Sequence, residues 1–483
     1  MEKLIVSVDI GTSSVRALAV SSAGEVFYRA SCPLTPSRPA EGLSQYDAEE
    51  LLTVTTQVLN QVIAQAGAEN ILSLAISCQR STVVLWDKNT GKSVAPVLTW
   101  EDGRAFSETQ EADISQEEIH ALTGLYKTPY FSAPKIAWCL KNIAQVRSVF
   151  QAGNLAAAPI ASFLIWHWTE GRVFATDITL AQRMLLLNVH TRQWDEHLAG
   201  VFGINIKCLP DVFPSMADYG KYTYKGVKIP ISACVGDQQA SAYFMNLSEG
   251  KGHINYGTGA FLLFNAGTKP LILGGTLTSL SACEGDCQPH YLLEAPVNSA
   301  GSSLLWLKAQ GIAFSDEQIN WLCKQAKNPV WFFPALGGLG APYWDFSLSP
   351  SFAGLSPLSR KEDWVAGVVR SIGFLIADIT FYLKTNGLEL SSPFTVSGGL
   401  THIDYLMQFQ SDILQMPLQI ASESDATALG AAGLAAKSLG WNWNPSSCVA
   451  KEIKPSVSDL QAQELYAQWR KFSDWAKRNP SGK

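Results

Sequence analysis

Two stretches of the chain share one arrangement of apolar and small residues. The first is Val6-Ser7-Val8-Asp9-Ile10-Gly11-Thr12-Ser13-Ser14-Val15-Arg16-Ala17-Leu18-Ala19-Val20, and the second is Ile254-Asn255-Tyr256-Gly257-Thr258-Gly259-Ala260-Phe261-Leu262-Leu263-Phe264. Each places a small-residue turn between two apolar runs, which predicts a tight hairpin. Glycine lets the backbone come close to a ligand, and its N–H groups with neighbouring hydroxyls can cradle a phosphate. Two such turns predict two similar halves gripping one polyphosphate. The competing reading is two unrelated hairpins.

Elsewhere the periodicity predicts a meander over residues 4–30, a helix from Asp47 to Gly67, and strands over Ile71 to Cys78 and Val83 to Trp86. Helices are expected over Ser132 to Phe150 and Leu155 to Trp168, with a buried strand at Ala233 to Gly236. After Gly252 the pattern restarts. It gives the second hairpin, an apolar helix around Ser302 to Leu307, a long helix from Trp364 to Lys384 and a strand ending at Ser397-Gly398-Gly399. An amphipathic, charged helix covers about Val457 to Arg478. This alternation is that of an α/β protein. A division near Asn246 to Lys251 makes residues 1–248 and 249–483 two domains, as the chain length of 483 also suggests.

Hydrophobic residues make up 47% of the chain and charged residues 16%, which suits large buried cores. A net charge of −6, with no run of Lys or Arg, argues against a nucleic-acid partner. Nine scattered cysteines predict reduced thiols and a cytoplasmic location. The stretch from Leu155 to Trp168 is too short to span a bilayer, and Asp9 interrupts the N-terminal apolar run, so neither a membrane nor a signal peptide is expected.

Some candidate motifs do not hold. Thr90-Gly91-Lys92-Ser93 ends like a Walker A loop, but Trp86 stands at its first glycine, so a surface turn is expected. Cys283, Cys287 and His290 lack a fourth zinc ligand, and no Gly-x-Ser-x-Gly elbow is present. Two carboxylates remain. Asp237, in Cys234-Val235-Gly236-Asp237-Gln238-Gln239-Ala240, follows a buried strand and a glycine, which suits a general base or a helix N-cap. Asp9, before the first turn, suits a water-mediated Mg²⁺ contact or an Asx turn.

With these residues the chain resembles the FGGY carbohydrate kinases, most closely the members that phosphorylate glycerol. The matching blocks include Asp9-Ile10-Gly11-Thr12-Ser13, Gln79-Arg80, Trp100-Glu101-Asp102-Gly103-Arg104 and Pro129-Tyr130-Phe131-Ser132. They continue with Gly236-Asp237-Gln238-Gln239, Tyr256-Gly257-Thr258-Gly259, Gly338-Leu339-Gly340-Ala341-Pro342-Tyr343-Trp344-Asp345 and Gly398-Gly399. The last are Met407 to Leu414 and Thr427-Ala428-Leu429-Gly430-Ala431-Ala432. The resemblance implies two actin-like ATPase domains of ribonuclease-H type around a central cleft. It also implies ATP-dependent phosphorylation of a small polyol or sugar, glycerol foremost. Asp237 is then the base, and Asp9 and Asp237 would hold Mg²⁺. Gly11, Thr12, Ser13, Arg16, Gly257, Thr258, Gly301, Gly398 and Gly399 would face ATP. Arg80, Ser81, Trp100, Tyr130, Asp237, Gln238 and Phe261 would form the polyol pocket. The resemblance leaves a homo-oligomer open.

Four departures from the family pattern stand out. Ser81 occupies the place of a glutamate that would accept a substrate hydroxyl, which weakens glycerol binding or makes room for a longer substrate. Ala161 replaces an aspartate, Cys139 an aliphatic residue, and Trp364, Gly367 and Arg370 depart from the signature of their helix; packing effects are expected for these. The glycine-rich loop that some members use for fructose-1,6-bisphosphate control is not evident in Tyr219 to Lys228. Two alternatives stand beside the glycerol reading: a kinase for a tetritol, ribulose or xylulose, and a catalytically idle actin-like switch.

Overall fold

The computed structural model describes residues 2–285, 288–421, 425–443 and 449–479. Its frame is a pair of mixed sheets. In the first, β1 (Leu4–Ile10), β2 (Ser14–Val20), β3 (Val26–Pro33), β4 (Ile71–Cys78), β5 (Lys221–Tyr224) and β6 (Val227–Gly236) lie in the order β5-β6-β4-β1-β2-β3. The second has β7 (Gly252–Tyr256), β8 (Ala260–Asn265), β9 (Leu277–Leu280), β10 (Tyr291–Val297), β11 (Phe394–Ser397), β12 (Leu418–Ala421) and β13 (Val449–Ile453) in the order β9-β10-β8-β7-β11-β12-β13.

Both sheets repeat one set of pairings. An antiparallel meander, β1-β2-β3 or β7-β8-β10, continues through two parallel strands, β4 and β6 or β11 and β12. An antiparallel edge strand, β5 or β13, then closes the series. The two glycine turns are thus equivalent hairpins in repeated architecture, as expected.

The parallel strands decide where the chemistry sits. β1, buried along its whole length, lies between neighbours, as a central strand must. In register, Ile10 pairs with Cys78, and Cys78 with Gly236. The segments leaving these strands, Gly11-Thr12-Ser13, Gln79-Arg80-Ser81 and Asp237-Gln238, therefore emerge side by side at the carboxyl edge of the sheet, where open α/β sheets bind ligands. In the second sheet Asn255 pairs with Ser397, so Gly257-Thr258 and Gly398-Gly399 also leave adjacent strands.

Helix α1 (Ala48–Ala66) follows Asp47, whose carboxylate accepts the Glu50 N–H at 2.9 Å, and stops at Gly67. Helix α2 (Asp237–Phe244) starts at the end of β6, and α3 (Gly301–Ala309) lies beside the second glycine turn. The 25-residue α4 (Lys361–Thr385) is apolar and long enough to cross a membrane, but 83% of its most apolar window is buried in the protein. Its Asp378 accepts hydrogen bonds from Tyr343 and from Tyr466 and Trp469 of the C-terminal helix. Helix α5 (Ala426–Ser438) crosses back to the first sheet, and its alanines pack with Ile5, Ala75, Ala233 and Val235. A Cβ at Gly430 would fall 1.9 Å from the Ala240 carbonyl, so only glycine lets α5 lie this close to α2. The last helix is α6 (Asp459–Arg478), capped by Ser458.

Two elements differ from expectation. Leu155 to Trp168 is not one helix: Leu155–Pro159 is a strand paired with Val83–Asp87, and the helix covers only Ile160–Trp168. The partner strand wins over the apolar periodicity. The predicted helix from Ser132 to Phe150 breaks at Ile143, whose extended backbone separates Ser132–Asn142 from Ala144–Gln151. Departures from the family pattern do pack. Ala161 and Cys139 are buried, Trp364 lies against Phe352, and Arg370 donates to the Tyr405 hydroxyl at 2.7 Å. Gly367 has room for no side chain, since a Cβ would sit 2.3 Å from the Val330 carbonyl.

Candidate active site

A cavity of about 800 Å³ opens between the two sheets. Thr12, Arg80, Trp100, Tyr130, Asp237, Gln238 and Phe261 all line it, joined by Glu294, Arg183, Tyr126 and Trp344.

Asp237 is the first residue of α2 and not its N-cap; Gly236 holds that place. Its Oδ1 accepts the Gln238 N–H at 2.7 Å and lies 3.4 Å from Nε of Arg80. Oδ2 has no hydrogen-bond partner among the described residues, and the side chain is 29% exposed, open to the cavity. Burial pushes the carboxyl up to about 6 against the pull of Arg80, which makes it a candidate for proton exchange near neutral pH. Gly236 leaves space for Arg80, because a Cβ there would meet the Arg80 Cγ and Cδ at 3.0 Å.

Trp100 is held by a built loop. Arg104 grips Asp102 with two hydrogen bonds of 2.7 and 2.8 Å, and Asp102 also accepts the Ser44 N–H. The Trp100 indole N–H donates to Thr12 Oγ1 at 3.0 Å, and its ring lies 5.5 Å from that of Tyr130. Gln79 donates to the Gly11 carbonyl, and Tyr46 to that of Thr12. The first glycine turn is thereby pinned to the pocket wall.

Asp9 faces Arg16 across the hairpin and pairs with it at 2.8 Å, while Ser77 donates to its other oxygen at 3.0 Å. Burial raises its pKa against the opposing Arg16 charge. Arg16 also reaches Asp425, at 3.3 Å. Ser13 is exposed in the turn.

In the second half, the N–H of Gly301 donates to the Gly257 carbonyl at 3.0 Å, and those of Ala300 and Ser302 to the Thr258 carbonyl. This ties the turn to the start of α3. A Cβ at Gly398, where φ is +97°, would sit 2.3 Å from the Tyr256 carbonyl; one at Gly301 would sit 2.8 Å from that of Gly257. Gly399 faces open space. Side chains are excluded where these segments touch, so they pack backbone against backbone. Gly257, Thr258, Gly301, Gly398 and Gly399 do not line the cavity that holds Asp237.

Ser81 departs from expectation. Its backbone turns through φ +63°, its Oγ is buried without a hydrogen-bond partner, and it is absent from the cavity lining. Its carbonyl accepts a hydrogen bond from Lys135, whose buried ammonium also donates to the Tyr130 carbonyl at 2.6 Å. Burial lowers the Lys135 pKa to about 7.

Glu294 and Arg183 escaped the sequence reading. Each is the lone charge in an apolar run, Tyr291-Leu292-Leu293-Glu294-Ala295 and Ala181-Gln182-Arg183-Met184-Leu185, and that isolation is the signal that could have exposed them. No group of three or more metal-ligating side chains occurs among the described residues; Cys287 lies outside them, and His290 engages Asn265. A Mg²⁺ held mainly by water and phosphate oxygens needs only one or two carboxylates, so Asp9 and Asp237 fit that donor set.

Comparison with known proteins agrees with this geometry. The N-terminal domain of the FGGY family of carbohydrate kinases matches residues 4–243, and its C-terminal domain matches residues 252–439. The glycerol kinase of Bacillus velezensis is 33% identical over 489 residues, covering 98% of each chain. That of Shewanella woodyi is 34% identical over 487 residues, covering 97% of this chain and 98% of its own. The crystal structure of Plasmodium falciparum glycerol kinase with ADP superposes with a TM-score of 0.93 at 27% identity, covering 98% of each chain. The two repeated sheets are the two-domain actin-like ATPase fold, and the chain belongs to the FGGY family of carbohydrate kinases.

Proposed function

We propose that the protein transfers the γ-phosphoryl group of ATP to a terminal hydroxyl of a small neutral polyol, glycerol foremost, giving glycerol 3-phosphate. The observation that carries this reading is the Asp237 carboxylate, with one oxygen unpartnered among the described residues, in the wall of a cavity that Thr12 of the first glycine turn and Phe261 of the second hairpin also line. Residues 1–248 and 249–483 act as the two lobes that supply these turns.

Asp237 takes the proton from the attacking hydroxyl at Oδ2, while its Oδ1 stays fixed by Gln238. Arg80 donates to a substrate hydroxyl, and Trp100 and Phe261 offer apolar faces to C–H groups. Tyr130 and Gln238 complete the polar wall. Gly11, Thr12 and Ser13 from one lobe, and Gly257, Thr258, Gly301, Gly398 and Gly399 from the other, clasp the phosphates. Arg16 pairs with Asp9 and holds its carboxyl in place, and Asp9 and Asp237 would hold Mg²⁺. Mg²⁺-ATP, when bound, supplies the phosphoryl group and neutralises its charge. Positioning then carries most of the catalysis.

The volume of the cavity, far beyond the needs of a triol, favours one second reading: a tetritol, ribulose or xylulose as acceptor. ADP release measured over glycerol, erythritol, ribulose and xylulose separates the two. Glycerol should give the highest kcat/KM. A longer acceptor at the top favours the second reading, and ADP release that no acceptor stimulates overturns both.

A further inference from the structure

We propose that Glu294 is a positioning residue for the phosphoryl acceptor, fixing the Arg80 guanidinium and through it the hydroxyls presented to Asp237. The proposal rests on the kinase reading above. Glu294 lies within β10, on the second sheet, whereas Arg80 and Asp237 leave the ends of strands in the first. Its side chain is 6% exposed, so its charge requires partners.

Those partners are two guanidiniums. Glu294 Oε1 accepts from Arg80 Nη1 at 2.6 Å and forms an ion pair with Arg183, and Oε2 accepts from Arg80 Nη2 at 3.3 Å. Burial opposes ionisation, but Arg183 and Arg80 overcome it and hold the carboxyl well below the usual range. Gln239 Oε1 accepts from Arg80 Nη1 at 3.3 Å, and Asp237 lies 3.4 Å from Nε.

A guanidinium has five N–H bonds in one plane. Here Nε faces Asp237, Nη1 serves Glu294 and Gln239, and Nη2 gives one N–H to Glu294. A single Nη2 N–H is left for the substrate. Glu294, which grips both terminal nitrogens, decides where that donor points. The four charges Arg80, Arg183, Glu294 and Asp237 also sum to zero, so the group asks for no charge on the acceptor. Without the Glu294 charge, two guanidiniums would share one carboxylate, and Arg80 would turn towards the Asp237 oxygen that must receive the proton.

The test compares steady-state kinetics and melting of the full-length wild type, Glu294→Gln and Glu294→Asp, with glycerol, erythritol, ribulose and xylulose as acceptors. Glu294→Gln should raise the acceptor KM about tenfold and lower kcat by about tenfold to a hundredfold, with the ATP KM within about twofold. Glu294→Asp keeps the charge but withdraws it by one methylene. It should melt close to wild type and show a smaller shift in the same sense, which carries the test if the Gln variant does not fold. Acceptor KM values within about twofold of wild type in a folded variant would overturn the proposal. So would equal losses of ATP and acceptor affinity, or failure of both variants to fold. A wild type inactive on every acceptor overturns the kinase reading and the proposal with it, whereas an active wild type with unaffected variants overturns the proposal alone.

Discussion

The Arg80 guanidinium meets the Glu294 carboxylate at 2.6 Å, although one leaves the edge of the first sheet and the other lies within the second. The same guanidinium reaches Asp237 at 3.4 Å. This charge cluster is therefore assembled at the junction of the halves, where neither sheet alone supplies all the charges.

Asp237→Asn should lower kcat by about 10²–10⁴, because general-base loss has that effect. The affinity for Mg²⁺-ATP should change little, since on the proposed reading the glycine turns carry most phosphate contacts and Asp9 still holds the metal. Stopped assays for kcat and calorimetry for nucleotide binding check the two halves of this prediction.

The raised Asp237 carboxyl gives a pH signature. Turnover should fall as pH drops through about 6, where the base becomes protonated. Stability moves the other way. The folded protein holds this proton between the ordinary value of 3.8 and about 6, where the unfolded chain has released it. The stability this provides is complete below that window and lost as pH rises through about 6. Asp237→Asn should therefore raise Tm more above the window than below it, as melting curves across pH would show.

Ser81→Ala should leave acceptor kinetics within about twofold and match or exceed wild-type stability by up to about 1 kcal/mol, because the lost hydroxyl is buried without a partner. Parallel melts and Michaelis curves measure both. A tenfold rise in acceptor KM would place Ser81 against the substrate after all.

Gly398→Ala forces a Cβ to within 2.3 Å of the Tyr256 carbonyl at a left-handed φ. Strain of about 1–3 kcal/mol should appear, and ATP affinity should fall about tenfold or more. Acceptor binding without nucleotide should persist. Calorimetry with each ligand separately distinguishes this from global unfolding.

Much of this was legible in the sequence where local rules apply. Glycine turns, strand periodicity and the Asp47 cap each have nearby causes, so the paired hairpins and α1 could be located. What escaped depends on distant partners. Leu155 to Pro159 becomes a strand only because Val83 to Asp87 lies beside it. The packing of α5 on the first sheet joins residues roughly two hundred to four hundred positions apart, with no local trace beyond its small residues. In the site, Asp237 and Arg80 announced themselves by motif, whereas Glu294 is recognisable only once Arg80 and Arg183 are seen around it. Ser81 shows the converse: its position in the motif is correct, but the turn of the backbone keeps it from the cavity wall.

The most direct test of the central claim is product identification by phosphorus NMR, with wild type and Asp237→Asn run side by side on Mg²⁺-ATP and glycerol. The wild type should form one glycerol phosphate ester per ADP. The Asn variant should make almost none while still binding ATP. ADP accumulating with inorganic phosphate and no ester, or an Asn variant retaining more than about a tenth of wild-type ester formation, would contradict it.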